Sequence, residues 1–294
     1  MGAEPWYGAI EAGGTKWRVA VGRSPDLAAE TTVLTTDPDP TISACVDFIR
    51  SSGYPISGVG IASFGPLDLV PTSGTFGFIT ATPKPGWSNT DVKGLIEAGL
   101  GVPAIIDVDV GGAALGEWMW GAGRGMDSLV YVTVGTGFGG AHLQEGRTLH
   151  ENGHPEMGHI TVEREAGDSF AGSCPFHGAC LEGMAAGPAL LARWGRPGPE
   201  LRDRQEVWDL EARYLAQALR TFTYMLAPQR IILGGGVMQQ PGLLQMVRGR
   251  LVERLAGYGN APDNLDEFIV EPELGQDAGL IGAIAMARRR FEGL

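Results

Sequence analysis

The sequence has 294 residues, 44% of them hydrophobic and 19% charged, which is typical of a globular protein with room for two lobes. Its net charge of −12 argues against nucleic-acid binding, because that function requires a basic face. No window approaches the roughly 18 apolar residues of a membrane span. Three cysteines, an odd number, do not suggest a disulfide framework. We therefore expect a cytoplasmic protein that binds neither nucleic acid nor membrane.

The 46 glycines are clustered, and two of the clusters lie inside similar units. Each unit reads as an apolar run, a glycine turn that contains threonine, and a second apolar run. The first pair of runs is 7–11 and 16–22, and the second pair is 129–134 and 141–144. This pattern predicts two β-hairpins, about 120 residues apart, that form a degenerate internal repeat.

Strands and helices alternate along the rest of the chain. We predict buried strands at 59–62 and 104–106, a short helix at 112–120, an amphipathic helix at 210–226, a strand at 230–233, and helices at 242–255 and 277–291. This alternation predicts an α/β protein.

The glycine turns have the composition of phosphate-binding loops. In the first turn, Gly13 and Gly14 allow close approach of the backbone, Thr15 offers a hydroxyl, and Lys16 offers a positive charge. The second turn, 135–140, fits the same need, although either turn could simply close a hairpin. Two better-known motifs are excluded: the P-loop order is reversed in the first turn, and no helix follows the G-x-G-x-x-G of the second. A third cluster, Gly234, Gly235 and Gly236, follows a predicted strand, so a flat base or ribose could lie against its bare backbone.

Together these loops resemble the two phosphate loops and the adenosine loop of the sugar-kinase, hexokinase and actin superfamily. The whole set is similar to the ROK family (repressors, ORFs and kinases). Within that family, the segments 62–66, 80–87 and 154–159 resemble the bacterial fructokinase branch. The resemblance runs from about residue 7 to residue 291, which is nearly the whole chain.

The resemblance implies an actin-like, ribonuclease H-like α/β fold of two lobes with a nucleotide cleft between them. We expect an N-terminal lobe at 1–118, completed by a C-terminal helix at 277–294, and a C-terminal lobe at 119–276 that carries a zinc-binding segment. The implied activity is phosphorylation of D-fructose to fructose 6-phosphate with ATP and Mg²⁺. Sugar and ATP are then the partners, and we expect a homodimer. The residues assigned to ATP are Gly13, Gly14, Thr15, Lys16, Thr136, Gly137, Gly234, Gly235 and Gly236.

One carboxylate should accept the proton of the sugar hydroxyl during phosphoryl transfer. Asp109 is the candidate, because the ROK kinases resemble the chain at this point, although it could instead cap a helix that begins near residue 111. ROK kinases usually carry a sugar-contacting Asn where this chain has Gly111, which leaves the sugar open. Many relatives have Asp at the position of Glu11, which we assign a weak role in orienting Mg²⁺. The resemblance also implies that Thr82, Lys84, Glu156 and His159 bind the sugar.

Four metal-binding side chains, His159, Cys174, His177 and Cys180, lie within 22 residues. Two thiolates and two imidazoles suit a tetrahedral Zn²⁺ with no open position, which predicts a structural site. The zinc motif of the ROK family resembles this segment, although most relatives use three cysteines and one histidine. The resemblance further implies that the second ring nitrogen of His159 faces the sugar beside Glu156. His142, His150 and His154 are interpreted as surface or turn residues, with His154 a weak candidate for the sugar site.

Three other functions are considered. A kinase of glucose, mannose or N-acetylmannosamine would share the same site plan. A transcriptional regulator of the family would carry a helix-turn-helix before the first strand, and that strand is predicted to begin at residue 7. The presence of Asp109 argues against a non-catalytic sugar sensor. A panel of hexoses in an ADP-release assay separates these functions.

Overall fold

The chain folds into two compact units in the computed structural model, which describes residues 4–148, 153–259 and 262–293. The first unit comprises Met1–Arg124, Gly146–His154 and Gln276–Leu294. The second comprises Gly125–Glu145 and Pro155–Gly275. Each unit is built around a β-sheet with helices packed on it.

The strands of the first unit are β1 (Trp6–Ala12), β2 (Lys16–Gly22), β3 (Leu27–Leu34), β4 (Ile56–Ser63), β5 (Phe78–Ile79), β6 (Thr90–Asp91) and β7 (Ala104–Val108). Its sheet has the order β3-β2-β1-β4-β7, and β5 pairs with β6 separately. The first three strands are antiparallel neighbours, whereas β4 runs parallel to β1 and β7 runs parallel to β4. This mixed order is the α/β architecture that the alternating elements predicted.

The strands of the second unit are β8 (Ser128–Val134), β9 (Phe138–Gln144), β11 (Arg230–Gly234) and β12 (Ile269–Val270), and the short strand β10 (Arg147–Thr148) falls among the residues of the first unit. The order β9-β8-β11-β12 matches the order β2-β1-β4-β7 of the first sheet position by position. The hairpin β8–β9 is antiparallel, and β11 lies parallel to β8. The repeat of hairpins predicted from the glycine pattern is therefore present.

The helices are α1 (Pro38–Ser51), α2 (Val92–Leu100), α3 (Asp109–Trp120), α4 (Leu181–Ala185), α5 (Gly187–Trp194), α6 (Gln205–Leu226), α7 (Leu243–Leu255), α8 (Leu265–Phe268) and α9 (Ala278–Glu292). Within the described residues, each helix is too short or too polar to cross a bilayer.

The last helix, α9, belongs to the core of the first unit and packs against β1, β4 and α3. Glycine permits this contact: a Cβ added at Gly60 would lie 1.8 Å from the carbonyl oxygen of Ala283. A Cβ added at Gly282 would lie 2.0 Å from the carbonyl oxygen of Gly112. The backbone of α9 therefore approaches the backbone of β4 and of α3 directly.

Three sequence interpretations need correction. The helix predicted at 112–120 begins earlier, at Asp109, so Asp109 lies in its first turn rather than before it. Helix α1 was not anticipated, because Pro38 and Pro40 lie in its first turn, where proline is tolerated although it usually signals a loop. His142 is buried on β9, where its Nε2 lies 3.0 Å from the hydroxyl of Ser128, so it is not a surface residue. His150 lies outside the described residues.

Glu211 on α6 is a fully buried carboxyl group in the core of the second unit. Neither of its oxygens has a hydrogen-bond partner among residues 4–148, 153–259 and 262–293. Burial raises its pKa well above the usual value, and the positive charge of Arg193 only partly opposes this. The folded protein therefore holds Glu211 protonated at a pH where the unfolded chain ionises it.

We expect Glu211→Gln to stabilise the protein increasingly as the pH rises. The pKa of Glu211 is higher in the folded protein than in the unfolded chain. As the pH rises from the unfolded to the folded pKa, the free energy of unfolding therefore falls by about 1.4 kcal/mol for each pH unit. Glutamine keeps the shape and cannot ionise, so the variant should match the wild type near pH 4.5 and melt higher at pH 8. Denaturation midpoints across this range test it, with the exposed Glu200→Gln as the control. A constant difference at every pH would contradict the assignment.

Candidate active site

The first glycine turn, between β1 and β2, is held by hydrogen bonds to its carbonyl groups. The backbone N–H of Gly13 donates to the carbonyl of Lys16 over 3.1 Å. Thr35, just after β3, donates its hydroxyl to the carbonyl of Gly13 over 2.8 Å and its backbone N–H to that of Thr15 over 3.0 Å. Lys16 itself is exposed at the end of the turn. The turn is a rigid loop with an accessible positive charge, as a phosphate site requires.

Lys84, which is predicted to bind sugar, contacts this loop. Its ammonium group donates to the carbonyl of Gly14 over 2.6 Å. The segment that carries it is anchored by Trp87, which is fully buried and whose ring centroid lies 5.2 Å from that of Trp17. Thr82, also predicted to bind sugar, accepts from the backbone N–H of Lys84 over 3.3 Å. The segment resembling fructokinases therefore contacts the first glycine turn directly.

Carboxylates converge beside this loop. The pKa of Glu11 is raised to about 7, chiefly by burial; the positive charge of Arg18 opposes this shift, and the negative charges of Asp109 and Asp277 add to it. Arg18 Nη1 lies 3.5 Å from a carboxylate oxygen of Glu11, and Arg18 Nη2 lies 2.7 Å from Asp277. A cluster of acidic oxygens beside a phosphate loop is the donor set that Mg²⁺ prefers.

Asp109 is exposed at the point where β7 ends and α3 begins. One of its carboxylate oxygens accepts from the backbone N–H of Val110 over 2.8 Å, which orients the group. The neighbouring Asp107 accepts from Thr148 over 3.1 Å. A Cβ added at Gly111 would lie 2.6 Å from an oxygen of Asp107, so the carboxylate of Asp107 occupies the space that a side chain at 111 would need. Packing against Asp107 therefore explains why glycine, which has no side chain, occupies position 111.

In the second unit, the turn between β8 and β9 is fixed in a comparable way. The backbone N–H of Gly135 donates to the carbonyl of Gly137 over 2.8 Å, and that of Gly187 donates to the carbonyl of Gly135 over 2.7 Å. Glu182 accepts from the backbone N–H of Phe138 over 3.0 Å. This second loop is therefore tied to α4 and α5.

A cavity of about 590 Å³ opens beside the second loop. Its lining includes the exposed Thr136 and Gly236, together with apolar and proline side chains from α5, from the turn after α5 and from α6, among them Pro188, Leu191, Pro197 and Trp208. A flat apolar wall next to bare backbone suits a nucleotide base. Gly234 and Gly235 serve packing, since a Cβ added at Gly235 would lie 2.3 Å from the carbonyl oxygen of Val134.

The four predicted metal ligands come together in the second unit. One donor atom from each of His159, Cys174, His177 and Cys180 lies within 4.8 Å of all the others. His159 Nδ1 lies 3.8 Å from the sulfur of Cys174 and 3.5 Å from that of Cys180, and His177 Nδ1 lies 3.8 Å from the sulfur of Cys174. Tetrahedral zinc, with bonds of about 2.3 Å to sulfur and 2.0–2.1 Å to nitrogen, places such atoms roughly 3.6 Å apart. The donor set therefore fits Zn²⁺ in chemistry and in size.

The backbone fixes this cluster on both sides. The N–H of Cys174 donates to the carbonyl of Gly178 over 3.2 Å, and the reverse bond is 2.9 Å. The backbone N–H of His159 donates to the carbonyl of Glu156 over 3.0 Å, which joins the exposed Glu156 to the metal cluster. Because the Nδ1 atoms face the thiols, Nε2 of His159 stays available for another partner.

The structure groups the predicted residues unit by unit. The first loop, Glu11, Lys84 and Asp109 belong to the first unit, and the second loop, Gly236, Glu156 and the metal cluster belong to the second. Sequence reasoning missed Thr35, Arg18 and Glu182, which act on loops through tertiary contacts. The sequence analysis also missed the residues that line the cavity. The Gly187-Pro188 pair and the Pro197-Gly198-Pro199 run could have indicated turns at this place, because glycine and proline favour turns.

Comparison with known proteins gives a consistent result. The fructokinase of Zymomonas mobilis is 42% identical over 289 residues, covering 96% of each chain. A ROK hexokinase from Thermus thermophilus superposes with a TM-score of 0.81 at 26% identity, covering 98% of this chain and 100% of the other. A ROK glucokinase from Streptomyces griseus, solved with glucose and AMPPNP, gives a TM-score of 0.75 at 24% identity over 97% and 99% of the two chains. The sequence pattern of the ROK family matches residues 7–290, and this protein belongs to that family.

Proposed function

We propose that this protein transfers the terminal phosphoryl group of ATP to the 6-hydroxyl of D-fructose. The observation that carries the proposal is the exposed carboxylate of Asp109 in the same unit as the first phosphate loop. The full-length similarity to a fructokinase supports fructose as the acceptor. The nucleotide analogue bound by the Streptomyces relative supports ATP as the donor.

In this reaction Asp109 accepts the proton of the sugar hydroxyl while that oxygen bonds to phosphorus and the bond to the β-phosphate oxygen breaks. Gly14 and Thr15 would hold phosphate oxygens with their backbone N–H groups, and Lys16 would add a positive charge. The N–H of Gly13 closes the turn on the carbonyl of Lys16. Mg²⁺, when bound with ATP, would neutralise phosphate charge, and Glu11 would orient it through water.

The second unit carries the other residues that we propose for the nucleotide and the sugar. Thr136 and Gly137 would hold phosphate, as their counterparts do in the first unit. Gly236 borders the cavity proposed for adenosine, and Gly234 and Gly235 shape its edge. Glu156 and Nε2 of His159 are proposed to bind sugar hydroxyls, as acceptor and donor respectively.

We further propose that His159, Cys174, His177 and Cys180 hold a structural Zn²⁺. Four protein ligands leave no open position, so the metal would fix the ring of His159 and the loop around it rather than activate water. The three free cysteines support a cytoplasmic location. The expected homodimer stays a prediction.

An ADP-release assay with fructose, glucose, mannose and N-acetylmannosamine tests the substrate. We expect kcat/KM for fructose to exceed the others by at least about 10-fold, because a site that pairs its polar groups with one sugar leaves some unpaired with another. The Asp109→Asn variant, purified in parallel, controls for contaminating kinases. A higher kcat/KM for glucose or mannose would replace fructose and leave the phosphotransferase class intact.

A further inference from the structure

Lys84 contacts the first glycine turn, which is the predicted phosphate loop. The sequence contains three lysines, and two of them, Lys16 and Lys84, meet at this loop. The ammonium group of Lys84 lies 2.6 Å from the carbonyl oxygen of Gly14 and 3.4 Å from that of Thr35. The third, Lys93, is paired on α2 with Glu97 over 2.8 Å.

The direction of the Gly14 carbonyl fixes the direction of the next amide. In a planar trans peptide, the C=O of one residue and the N–H of the next point in opposite directions. While Lys84 holds the carbonyl of Gly14, the N–H of Thr15 points away from the ammonium group. Thr35 orients the Gly14 amide in the same way, through its bond to the carbonyl of Gly13.

The hydrogen bond from Lys84 also strengthens that amide as a donor. A charged donor on the carbonyl makes a stronger bond than a neutral one, and it polarises the peptide group. The Thr15 N–H then becomes a better donor to a phosphate oxygen. Lys84 is half-buried, and its segment is fixed by the indole of Trp87, which donates to the carbonyl of Thr36 over 2.8 Å.

We infer that Lys84 is a positioning residue, which orients the Gly14–Thr15 amide towards the phosphates of the nucleotide and does not bind the sugar. The inference rests on the proposed function in one respect, the identity of the loop as a phosphate site. It also means that the segment at 80–87, which resembles fructokinases, acts directly on the nucleotide loop.

Lys84→Met and Lys84→Arg test this inference, with Lys93→Met as the matched control. Affinity for ADP with Mg²⁺ is measured by calorimetry without sugar, and KM for fructose is measured by ADP release. We expect Lys84→Met to weaken nucleotide binding by about 10-fold, the cost of one charged hydrogen bond, with KM for fructose within twofold. Lys84→Arg should restore most of the affinity, and Lys93→Met should leave it unchanged.

A raised KM for fructose with unchanged nucleotide affinity would overturn the inference and return Lys84 to the sugar. Unchanged values for both, or losses in both that arginine does not rescue, would overturn it as well. Since the nucleotide is titrated alone, the readout does not depend on which sugar is phosphorylated.

Wild-type protein gives a second measurement if the methionine variant does not fold. Acetic anhydride labelling, read by mass spectrometry at each lysine, should modify Lys84 more slowly than the exposed Lys16. Modification of Lys84 as fast as that of Lys16 would show an ammonium group that is not held, and would overturn the inference.

Discussion

The Asp109→Asn variant is expected to lose roughly 10²–10⁴-fold in kcat while it still binds fructose and ATP. Asparagine keeps the size of the side chain and the bond from the Val110 N–H, so the start of α3 should not change. It removes the negative charge, and with it the ability to accept the proton of the sugar hydroxyl.

Steady-state kinetics and calorimetric titration of both substrates check this expectation. Asp47→Asn is the control, because Asp47 is an exposed residue of α1 with no assigned role. If Asp109→Asn keeps more than about a tenth of the wild-type kcat, the base is another group, and Asp107 is the nearest alternative along the chain.

Loss of the metal is expected to have the second large effect. Purified protein should contain about one zinc per chain, and Cys180→Ser or chelation should remove it. Structural zinc contributes about 10–16 kcal/mol of apparent binding energy in small domains, so the denaturation midpoint should fall. Affinity for fructose should weaken by roughly 10–100-fold, since the proposed metal would orient His159 and the segment that carries Glu156.

Nucleotide affinity should fall less than sugar affinity, but a smaller loss is still expected. Glu182, two residues after Cys180, accepts from the backbone N–H of Phe138 and so connects the metal segment to the second phosphate loop. Cys45→Ser is the matched control, because Cys45 is a buried thiol of α1 in the other unit. An active protein that contains no zinc, or a sugar affinity that survives complete removal, would refute the structural role.

The parts of the site that could be predicted from sequence are those that short segments encode. The loop at Gly13–Lys16 and the spacing from Cys174 to Cys180 are complete in a few neighbouring residues. The two hairpins, each of which contains one of the loops, were predicted correctly for the same reason. Register and order within the sheets follow from pairings between distant strands, which no single segment specifies.

What sequence could not give are the contacts between distant residues. Lys84 is 70 residues from Gly14 along the chain, so the contact of its ammonium group with the first glycine turn could not be predicted from the sequence. Arg18 reaches Asp277 across 259 residues. The packing of Asp107 against Gly111 was also invisible, because it depends on how β7 turns into α3.

The position of α9 has a consequence for synthesis of the chain. This helix covers β1 and β4 and completes the core of the first unit, yet it follows the whole second unit in sequence. At about 5–20 residues per second, a ribosome needs roughly 8–30 s to pass from residue 124 to residue 276. During that interval the second unit is still being synthesised, and the apolar side chains of β1 and β4 that α9 covers in the folded protein stay exposed. The first unit therefore emerges first from the ribosome but completes its core last. Until α9 is made, its exposed apolar strands are the surface that a nascent-chain chaperone would bind.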